Sequence, residues 1–254
     1  MSAVAKVRID QLLVTRGLAQ TRARAQAILL SGSVSAAGRR VDKAGTLVSE
    51  DVVIDVRGVD HPYVSRGGVK LAGALDAFAV DVRQLSCLDL GAYTGGFTDC
   101  LLQRGAARVV AVDVGYGQLA HKLRVDARVV VLERTNARAL TPETIGGLAD
   151  LTVVDASFIA LGKLAEAMAR CTRVGGDVVA LIKPQFEVGR EEASRGKGVV
   201  RDPEVRDRAI SDALESLRRV HFDILAQADS VLEGPKGNLE AFVHARLTGT
   251  DAIR

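Results

Sequence analysis

The sequence predicts an α/β protein with a large domain built on a mostly parallel sheet, preceded by a small α+β unit. From about residue 66, apolar runs typical of buried strands alternate with amphipathic helical segments, the pattern of a parallel sheet covered on both faces. The first 56 residues instead contain two helical segments followed by short β-like pieces. We therefore place a first domain at 1–56, a linker at 57–65 and a second domain at 66–254.

Local signals support the elements of the first domain. Ile9, Leu12 and Leu13 have helical spacing, and Thr21 is suited to cap a second helix over Arg22–Leu30. The β-like pieces that follow include Val34–Ala36 and Val52–Val56.

In the second domain, the order of apolar runs predicts seven strands and five helices. The predicted strands are Leu85–Leu90, Arg108–Asp113, Arg128–Leu132, Leu151–Asp155, Val178–Ile182, Phe222–Ala228 and Leu239–Ala245. The predicted helices are Val69–Phe78, Gly96–Arg104, Gln118–Leu123, Leu161–Cys171 and Glu204–Val220. A loop without a helix joins the last two strands, so we expect them to form an antiparallel pair at one edge of the sheet.

Composition places the chain among ordinary globular proteins. Of the 254 residues 48% are hydrophobic and 26% are charged, and no apolar run approaches the ~18 residues of a membrane-spanning helix. The N-terminus lacks the apolar core of a signal peptide, and the three cysteines form no Cys-x-x-Cys pair. The four histidines lack metal-ligand spacing. We therefore expect a cytoplasmic protein with no disulfide framework, no metal site and no membrane association.

Positive charge is concentrated near the N-terminus. Residues 1–44 hold eight Lys and Arg against two Asp, whereas the rest of the chain holds 26 basic and 29 acidic side chains. A basic head on a slightly acidic body indicates that the head binds a polyanion. A solvated basic surface is the alternative. The candidate polyanion-binding residues of this head are Arg8, Arg16, Arg22, Arg24, Arg39, Arg40 and Lys43.

A glycine-rich turn follows the first strand of the second domain, in Leu-Asp-Leu-Gly-Ala-Tyr-Thr-Gly-Gly-Phe-Thr. Gly91 permits a tight turn, and Gly95 and Gly96 let a ligand approach the N-terminus of the next helix. The spacing differs from the G-x-G-x-x-G of pyrophosphate-binding turns, and no G-K-[ST] follows. Asp113 ends the next strand, where a carboxylate can accept both hydroxyls of a ribose.

This pattern favours an adenosyl cofactor without a pyrophosphate, S-adenosylmethionine. A turn that needs glycine for packing alone is the alternative. The predicted cofactor-binding residues are Asp89, Gly91, Ala92, Tyr93, Thr94, Gly95, Gly96, Phe97, Asp113, Asn136 and Asp155.

Two charged residues, Asp155 and Lys183, end buried strands. In an open parallel sheet both lie at the carboxyl edge, where ligands bind. Burial disfavours the charged form of an amine, which allows a lysine to act as a general base; a structural Asp–Lys ion pair is the alternative. Arg66 and Lys70 lie near the start of the domain, where they either grip phosphate or form a helix cap and a solvated lysine. Glu240 receives no role from the sequence alone.

Longer motifs resemble known families. Residues 7–56 resemble the small two-helix RNA-binding fold of a ribosomal small-subunit protein and of pseudouridine synthases, and residues 63–245 resemble the FtsJ-like ribose methyltransferases. The combination is similar to the TlyA family, an rRNA 2′-O-methyltransferase family often labelled haemolysin. The motifs that carry this similarity are Ser-Arg-Gly-Gly-Val-Lys-Leu, Gly-Gly-Phe-Thr-Asp-Cys, Asp-Ala-Ser-Phe-Ile, Ile-Lys-Pro-Gln-Phe-Glu and Gly-Asn-Leu-Glu.

The resemblance implies S-adenosylmethionine-dependent methylation of a ribose 2′-hydroxyl in ribosomal RNA. It implies a cytidine target in large-subunit RNA, with small-subunit RNA as a second candidate and with free RNA or ribosomal subunits as the partner. It also implies a catalytic tetrad of Lys70, Asp155, Lys183 and Glu240, with Lys183 as the base. Arg66, which can grip phosphate, is a further candidate RNA contact from its place in the sequence. Tyr93 departs from the family, in which a small residue, often serine, is expected.

Other functions stay open at this point. A membrane-lytic protein is suggested by the family label, but the chain shows no cationic amphipathic segment with aromatic anchors. A second alternative is a non-catalytic RNA- or ribosome-binding factor on a methyltransferase scaffold. A third alternative is a nicotinamide dehydrogenase. The glycine spacing disfavours the dehydrogenase, and no protein partner is predicted.

Overall fold

The computed structural model describes residues 6–16, 18–19, 21–56, 61–189, 198–234 and 237–249. The chain divides into two compact units, Met1–Pro62 and Tyr63–Arg254. Residues 57–60 of the predicted linker lie outside the described residues.

The first unit consists of two helices and short antiparallel strands around a small apolar core. The Thr21 side chain accepts the backbone N–H of Arg24, which confirms the predicted helix cap. Ile9, Leu13 and Leu29 lie in the core of this unit. The elements are β1 (Lys6–Arg8), α1 (Ile9–Thr15), α2 (Arg22–Leu30), β2 (Val34–Ala36), β3 (Arg39–Arg40), β4 (Leu47–Ser49) and β5 (Ile54–Val56). Strand β1 pairs with β4, and β2 lies between β3 and β5.

A buried carboxylate ties the two helices of the first unit together. Asp10 is fully buried and accepts two bonds of 3.0 Å from the Arg8 guanidinium and one of 2.9 Å from Arg22 Nε. These hydrogen bonds, that from Arg8 foremost, hold the pKa of Asp10 well below its usual range. Asp10 therefore stabilises the unit as an anion.

We expect Asp10→Asn to lower the unfolding midpoint of the first unit by about 10 °C, because charge-assisted hydrogen bonds are lost. Pairing lowers the pKa of Asp10 in the folded unit, so its stabilisation is fully present above the unfolded value of about 4 and is lost progressively as the pH falls from there through the lower folded value. Hydrogen exchange of the α1 amides should show a gap between wild type and variant at pH 7 that begins to narrow below about pH 4. Asp42→Asn, at an exposed aspartate, is the matched control; a gap that does not depend on pH would contradict this role.

The second unit alternates strands and helices, as the sequence predicts. Its elements are α3 (Arg66–Ala77), β6 (Ser86–Leu90), α4 (Gly96–Gln103), β7 (Arg108–Val112), α5 (His121–Arg124), β8 (Val129–Leu132), α6 (Pro142–Ile145), β9 (Ala149–Val154), α7 (Ala165–Cys171), β10 (Thr172–Ile182), α8 (Pro184–Glu187), α9 (Pro203–Arg218), β11 (Phe222–Asp229) and β12 (Ala241–Leu247). Short 3₁₀ turns cover Ala137–Ala139 and Leu161–Lys163.

The strands form one sheet in the order β11-β12-β10-β9-β6-β7-β8. Strands β10, β9, β6, β7 and β8 are parallel, and β12 pairs antiparallel with both β10 and β11. The α/β fold class and the antiparallel edge pair are therefore confirmed. The chain starts this sheet in the middle, at β6, and adds strands first on one side and then on the other. This order places a topological switch point between β6 and β9.

Apolar side chains cover both faces of the sheet. Neighbouring strand residues point to opposite faces, so Leu88 joins a core cluster with residues of α7 and α9, and Cys87 joins one with residues of α3 and α4. Two predicted helices differ from the structure. The helix expected at Gln118–Leu123 shortens to α5 because a turn precedes it, with Gly117 at φ +71°. The helix expected at Leu161–Cys171 begins as a 3₁₀ turn.

Candidate active site

The switch point brings the ends of β6 and β9 into direct contact. The backbone N–H of Asp155 donates to the carbonyl of Leu90 at 2.9 Å. Gly91 follows with φ +86°, and a Cβ atom there would lie 2.7 Å from the carbonyl oxygen of Asp155. Only glycine fits this close approach, so the turn has no room for a side chain.

The glycine-rich loop ends at the N-terminus of α4. Gly95 caps the helix in the left-handed conformation, with φ +95°. A Cβ atom on Gly96 would lie 2.2 Å from Ser65 Oγ and 2.9 Å from the backbone nitrogen of Gly68, so α4 packs directly against the start of α3. This packing places the loop beside the helix that carries Lys70.

Asp113 connects this loop to the end of β7. Its carboxylate accepts the N–H of Tyr93 at 2.8 Å and the N–H of Gly115 at 2.7 Å. Tyr93 itself has φ +46°, is well exposed and lines a narrow cleft together with Asp113, Gln118 and Glu133. Tyr93, at a position where a small residue is expected, therefore lies beside Asp113 at this cleft.

Asp89 supports the glycine-rich loop from within the core. It is fully buried, and Thr98 Oγ1 donates to its carboxylate at 2.6 Å. Burial raises the pKa of Asp89 to about 7, against the effect of the Thr98 hydrogen bond. Asp89 has no exposed surface with which to contact a ligand, so its geometry is that of a positioning residue.

Lys183 and Asp155 form an ion pair at the carboxyl edge. Lys183 Nζ lies 2.6 Å from Asp155 Oδ1 and donates to Ser157 Oγ at 2.9 Å. Burial raises the pKa of the Asp155 carboxyl, and the adjacent Lys183 amine opposes that shift. The two strand ends that the sequence places at the same edge do meet.

A second ion pair lies beside the first. Lys70 Nζ from α3 lies 2.5 Å from Glu240 Oε2, and both side chains are almost completely buried. Glu240 also accepts Gln185 Nε2 at 3.2 Å. Glu240 precedes β12, whose first residue pairs with Ile182 in the antiparallel ladder, so it lies opposite the end of β10. The antiparallel direction of β12 thus brings the start of a strand to the carboxyl edge.

A cavity of about 700 Å³ opens over these charged groups. Both ion pairs line it, together with the loop residues Tyr93 and Thr94. The remaining lining residues are Ser65, Arg66, Gly67, Ser157, Phe158, Gln185, Phe186, Gly198, Glu233 and Asn238. One cavity therefore contains the loop that is suited to an adenosyl group and the lysine that is suited to remove a proton.

Comparison with known proteins identifies this arrangement. Residues 63–247 match the model of the FtsJ-like methyltransferases, and residues 7–54 match the S4 domain. The chain belongs to the FtsJ-like methyltransferase family. The resemblance predicted from the motifs of both domains is confirmed.

Relatives of this FtsJ-like methyltransferase cover nearly the whole chain. A Mycobacterium tuberculosis protein named 16S/23S rRNA (cytidine-2'-O)-methyltransferase TlyA is 48% identical over 97% of this chain and 91% of its own length. A Brachyspira hyodysenteriae protein named Hemolysin A is 38% identical over 94% of this chain and 99% of its own. A solved Streptococcus thermophilus structure, labelled as a hemolysin, matches with 38% identity and a TM-score of 0.75 over 99% of this chain and 93% of that one.

The haemolysin label of some relatives raises the question of membrane insertion. In the ranges that the structure describes, no helix combines the length and the apolar character needed to cross a bilayer.

Some predicted residues of the FtsJ-like methyltransferase lie away from this cavity. Asn136 caps the 3₁₀ turn at Ala137–Ala139 by accepting the N–H of Arg138, and it lines neither the cavity nor the narrow cleft. The structure therefore does not bring Asn136 to the site. Arg66 lies at the cavity mouth and donates to the carbonyl of Glu233 at 3.2 Å.

The predicted RNA-binding residues of the S4 domain differ in their surroundings. Arg8 and Arg22 bind Asp10, and Arg16 donates to the carbonyl oxygens of Glu50 and Val52. The exposed residues of this group include Arg39, Arg40 and Lys43, whereas Arg24 is half-buried.

Sequence reasoning missed nine of the residues that line the cavity, and three of them are described by their contacts. Ser157 contacts Lys183, Gln185 contacts Glu240, and Phe158 is 91% exposed with φ +64° and its ring 5.1 Å from that of Phe186. Each lies within five residues of a predicted catalytic residue and inside a motif that carries the family resemblance, and these are the signals that could have found them.

Proposed function

We propose that this chain uses S-adenosylmethionine to methylate a ribose 2′-hydroxyl of ribosomal RNA. The observation that carries this proposal is that two ion pairs, Lys183–Asp155 and Lys70–Glu240, line the same cavity as Tyr93 and Thr94 of the glycine-rich loop. A base for the hydroxyl and a site for the methyl donor are thereby brought together.

The residues of the loop fit S-adenosylmethionine. The lack of a side chain at Gly91 lets the turn pack directly on the backbone of Asp155, and Asp113 offers carboxylate oxygens to ribose hydroxyls at the strand end. Ala92, Tyr93, Thr94 and Gly95 would line the bound cofactor, with Asp89, Gly96 and Phe97 supporting them from within the core. When bound, S-adenosylmethionine supplies a sulfonium methyl group that accepts the electron pair of the ribose oxygen.

The chain's own task is to hold the ribose and remove one proton. Lys183, in its neutral form, takes the proton of the 2′-hydroxyl onto Nζ as that oxygen becomes nucleophilic. Asp155 orients the amine from 2.6 Å, and Lys70 and Glu240 complete the charge balance beside it. Alignment of the reactants can supply about 7–11 kcal/mol of the barrier reduction.

The proposed substrate is a cytidine in ribosomal RNA. This choice rests on the M. tuberculosis relative, whose name states cytidine-2'-O methylation of 16S and 23S rRNA. Either free RNA or a ribosomal subunit would serve as the partner. The cavity of about 700 Å³ has room for a nucleotide that leaves its stack.

A methyl-transfer assay tests this function. Labelled S-adenosylmethionine is incubated with the chain and with separated ribosomal subunits or naked rRNA, and the RNA is then digested to nucleosides. We expect label in 2′-O-methylcytidine. Cofactor binding without transfer to any of these RNAs would favour a non-catalytic binding factor instead.

The S4 domain would position the RNA through phosphate contacts, which add affinity but little sequence information. We expect binding to weaken steeply with salt, with a log–log slope of about −0.7 for each single-strand phosphate contacted. Removing both exposed residues of β3, with Arg39→Ala and Arg40→Ala, should flatten the slope by about 1.4.

Filter binding of rRNA fragments at several salt concentrations measures this slope. Arg83→Ala is the matched control, because Arg83 is an exposed arginine of the second unit that pairs with Asp81. A salt slope that the β3 double variant leaves unchanged would exclude this strand from the RNA-binding surface.

A further inference from the structure

The amine of Lys183 has two neighbours of different chemistry. Asp155 Oδ1 lies 2.6 Å from Nζ, and the Ser157 hydroxyl accepts a hydrogen bond from the same nitrogen at 2.9 Å. An ammonium group has three N–H positions, and the neutral amine has two N–H and one lone pair. The Ser157 hydrogen bond occupies one of these positions, whereas Asp155 contacts the amine as an ion-pair partner without an aligned hydrogen bond, and all three residues line the cavity.

We propose that Ser157 is a positioning residue for Lys183, which fixes the rotation of the amine so that its lone pair faces the ribose. The inference rests on the proposed function, in which Lys183 is the base. A carboxylate alone does not fix this rotation, because the amine can turn about the Cε–Nζ bond while keeping one contact. The directional hydrogen bond to the Ser157 hydroxyl fixes this rotation and so defines the direction of the lone pair.

The loop that carries Ser157 is held at both ends. At its start the N–H of Asp155 donates to Leu90, and at its end the N–H of Leu161 donates to Glu187 Oε1 at 2.8 Å. Glu187 belongs to α8, which begins directly after Lys183. The loop and the lysine are therefore fixed relative to each other by contacts outside the amine itself.

The backbone beside Ser157 is in an unfavourable conformation. Phe158 has φ +64°, which bulky residues rarely adopt, and its ring packs on Phe186 of α8. Such a conformation persists only where surrounding contacts impose it, and it is typical of functional sites. Three contacts therefore join the Ser157 loop to Lys183 and α8, and they follow the chain in both segments. They are Ser157–Lys183, Phe158–Phe186 and Leu161–Glu187.

Kinetics of the full-length chain test this inference. With the rRNA substrate that the wild type methylates, we expect Ser157→Ala to lower kcat about 30-fold, because a hydrogen bond to a charged or reacting group is lost. The KM for RNA and the Kd for S-adenosylmethionine should stay within about twofold, since Ser157 orients the base. Ser157→Thr keeps the hydroxyl and should restore kcat to within about threefold of wild type. Ser211→Ala, at an exposed serine of α9, is the matched control.

Several outcomes would overturn the inference. A Ser157→Ala chain with wild-type kcat shows that the amine needs no acceptor at this position. A loss of cofactor affinity, or a Ser157→Thr chain as slow as Ser157→Ala, shows that the side chain shapes the cavity instead. A wild type that methylates no rRNA overturns the proposed function and this inference with it, whereas equal activity of wild type and Ser157→Ala overturns the inference alone.

Discussion

Lys183→Ala is expected to lower methyl transfer about 1,000-fold while S-adenosylmethionine still binds with nearly wild-type affinity. Loss of a general base typically costs between about 10² and 10⁴ in rate. Cofactor affinity should persist, because the proposed cofactor contacts come from the glycine-rich loop and Asp113. The measurements are single-turnover methyl transfer and calorimetric titration of the cofactor.

The variant should fold despite the loss of a partly buried ion pair. Burial already raises the pKa of the Asp155 carboxyl, so without its partner that group can take up a proton instead of remaining an unpaired anion. A thermal melt checks this point. Lys163→Ala, which removes an exposed lysine after the same loop, is the control and should leave activity unchanged.

Lys183→Arg distinguishes a role as general base from a role that needs only a positive charge at this position. Arginine keeps a positive charge near Asp155 but does not lose its proton in proteins, so it cannot act as a base. We expect this variant to be as inactive as Lys183→Ala. Substantial activity in Lys183→Arg would show that the position supplies electrostatic stabilisation only, and loss of cofactor binding in Lys183→Ala would contradict its assignment as the base.

The sequence predicted the elements that local patterns control. The glycine-rich turn, Asp155 and Lys183 are found at the carboxyl edge because each directly follows a buried strand, and strand ends can be recognised from apolar runs. Glu240 received no role without the family resemblance, because it reaches the edge only through the antiparallel direction of β12. Strand direction depends on pairing between distant segments, which no local window contains.

Lys70 and Ser157 illustrate two further reasons why local sequence patterns do not reveal every residue of the site. Lys70 lies on a helix, and only the packing of α3 against α4, allowed by the lack of a side chain at Gly96, brings it to Glu240. Ser157 depends on a loop with a positive φ at the next residue, and phenylalanine is not a residue from which that conformation is predicted. The role of Asn136 stays a prediction, since its side chain caps a 3₁₀ turn on a neighbouring loop.

Asp113→Ala is expected to weaken S-adenosylmethionine binding about 100-fold or more. Hydrogen bonds to a charged group contribute about 1.5–3 kcal/mol each, and a ribose offers two hydroxyls to this carboxylate. The substitution also releases the N–H groups of Tyr93 and Gly115, which Asp113 holds at 2.8 and 2.7 Å. Calorimetric titration measures the change, and Asp81→Ala, at a carboxylate paired with Arg83 on the surface, is the control.

The two contributions of Asp113 can be separated with a ligand that lacks one of the hydroxyls. The wild type should bind a deoxyribose analogue of S-adenosylhomocysteine more weakly than S-adenosylhomocysteine itself. The Asp113→Ala variant should bind the two ligands about equally well. Equal losses in wild type and variant would mean that the carboxylate only holds the loop through Tyr93 and Gly115. The two proteins and two ligands form a double-mutant cycle, which compares the loss of binding free energy caused by the missing hydroxyl in each protein. A general loosening of the loop affects both ligands equally and cancels, so the remaining coupling energy reports the contact between Asp113 and the ribose.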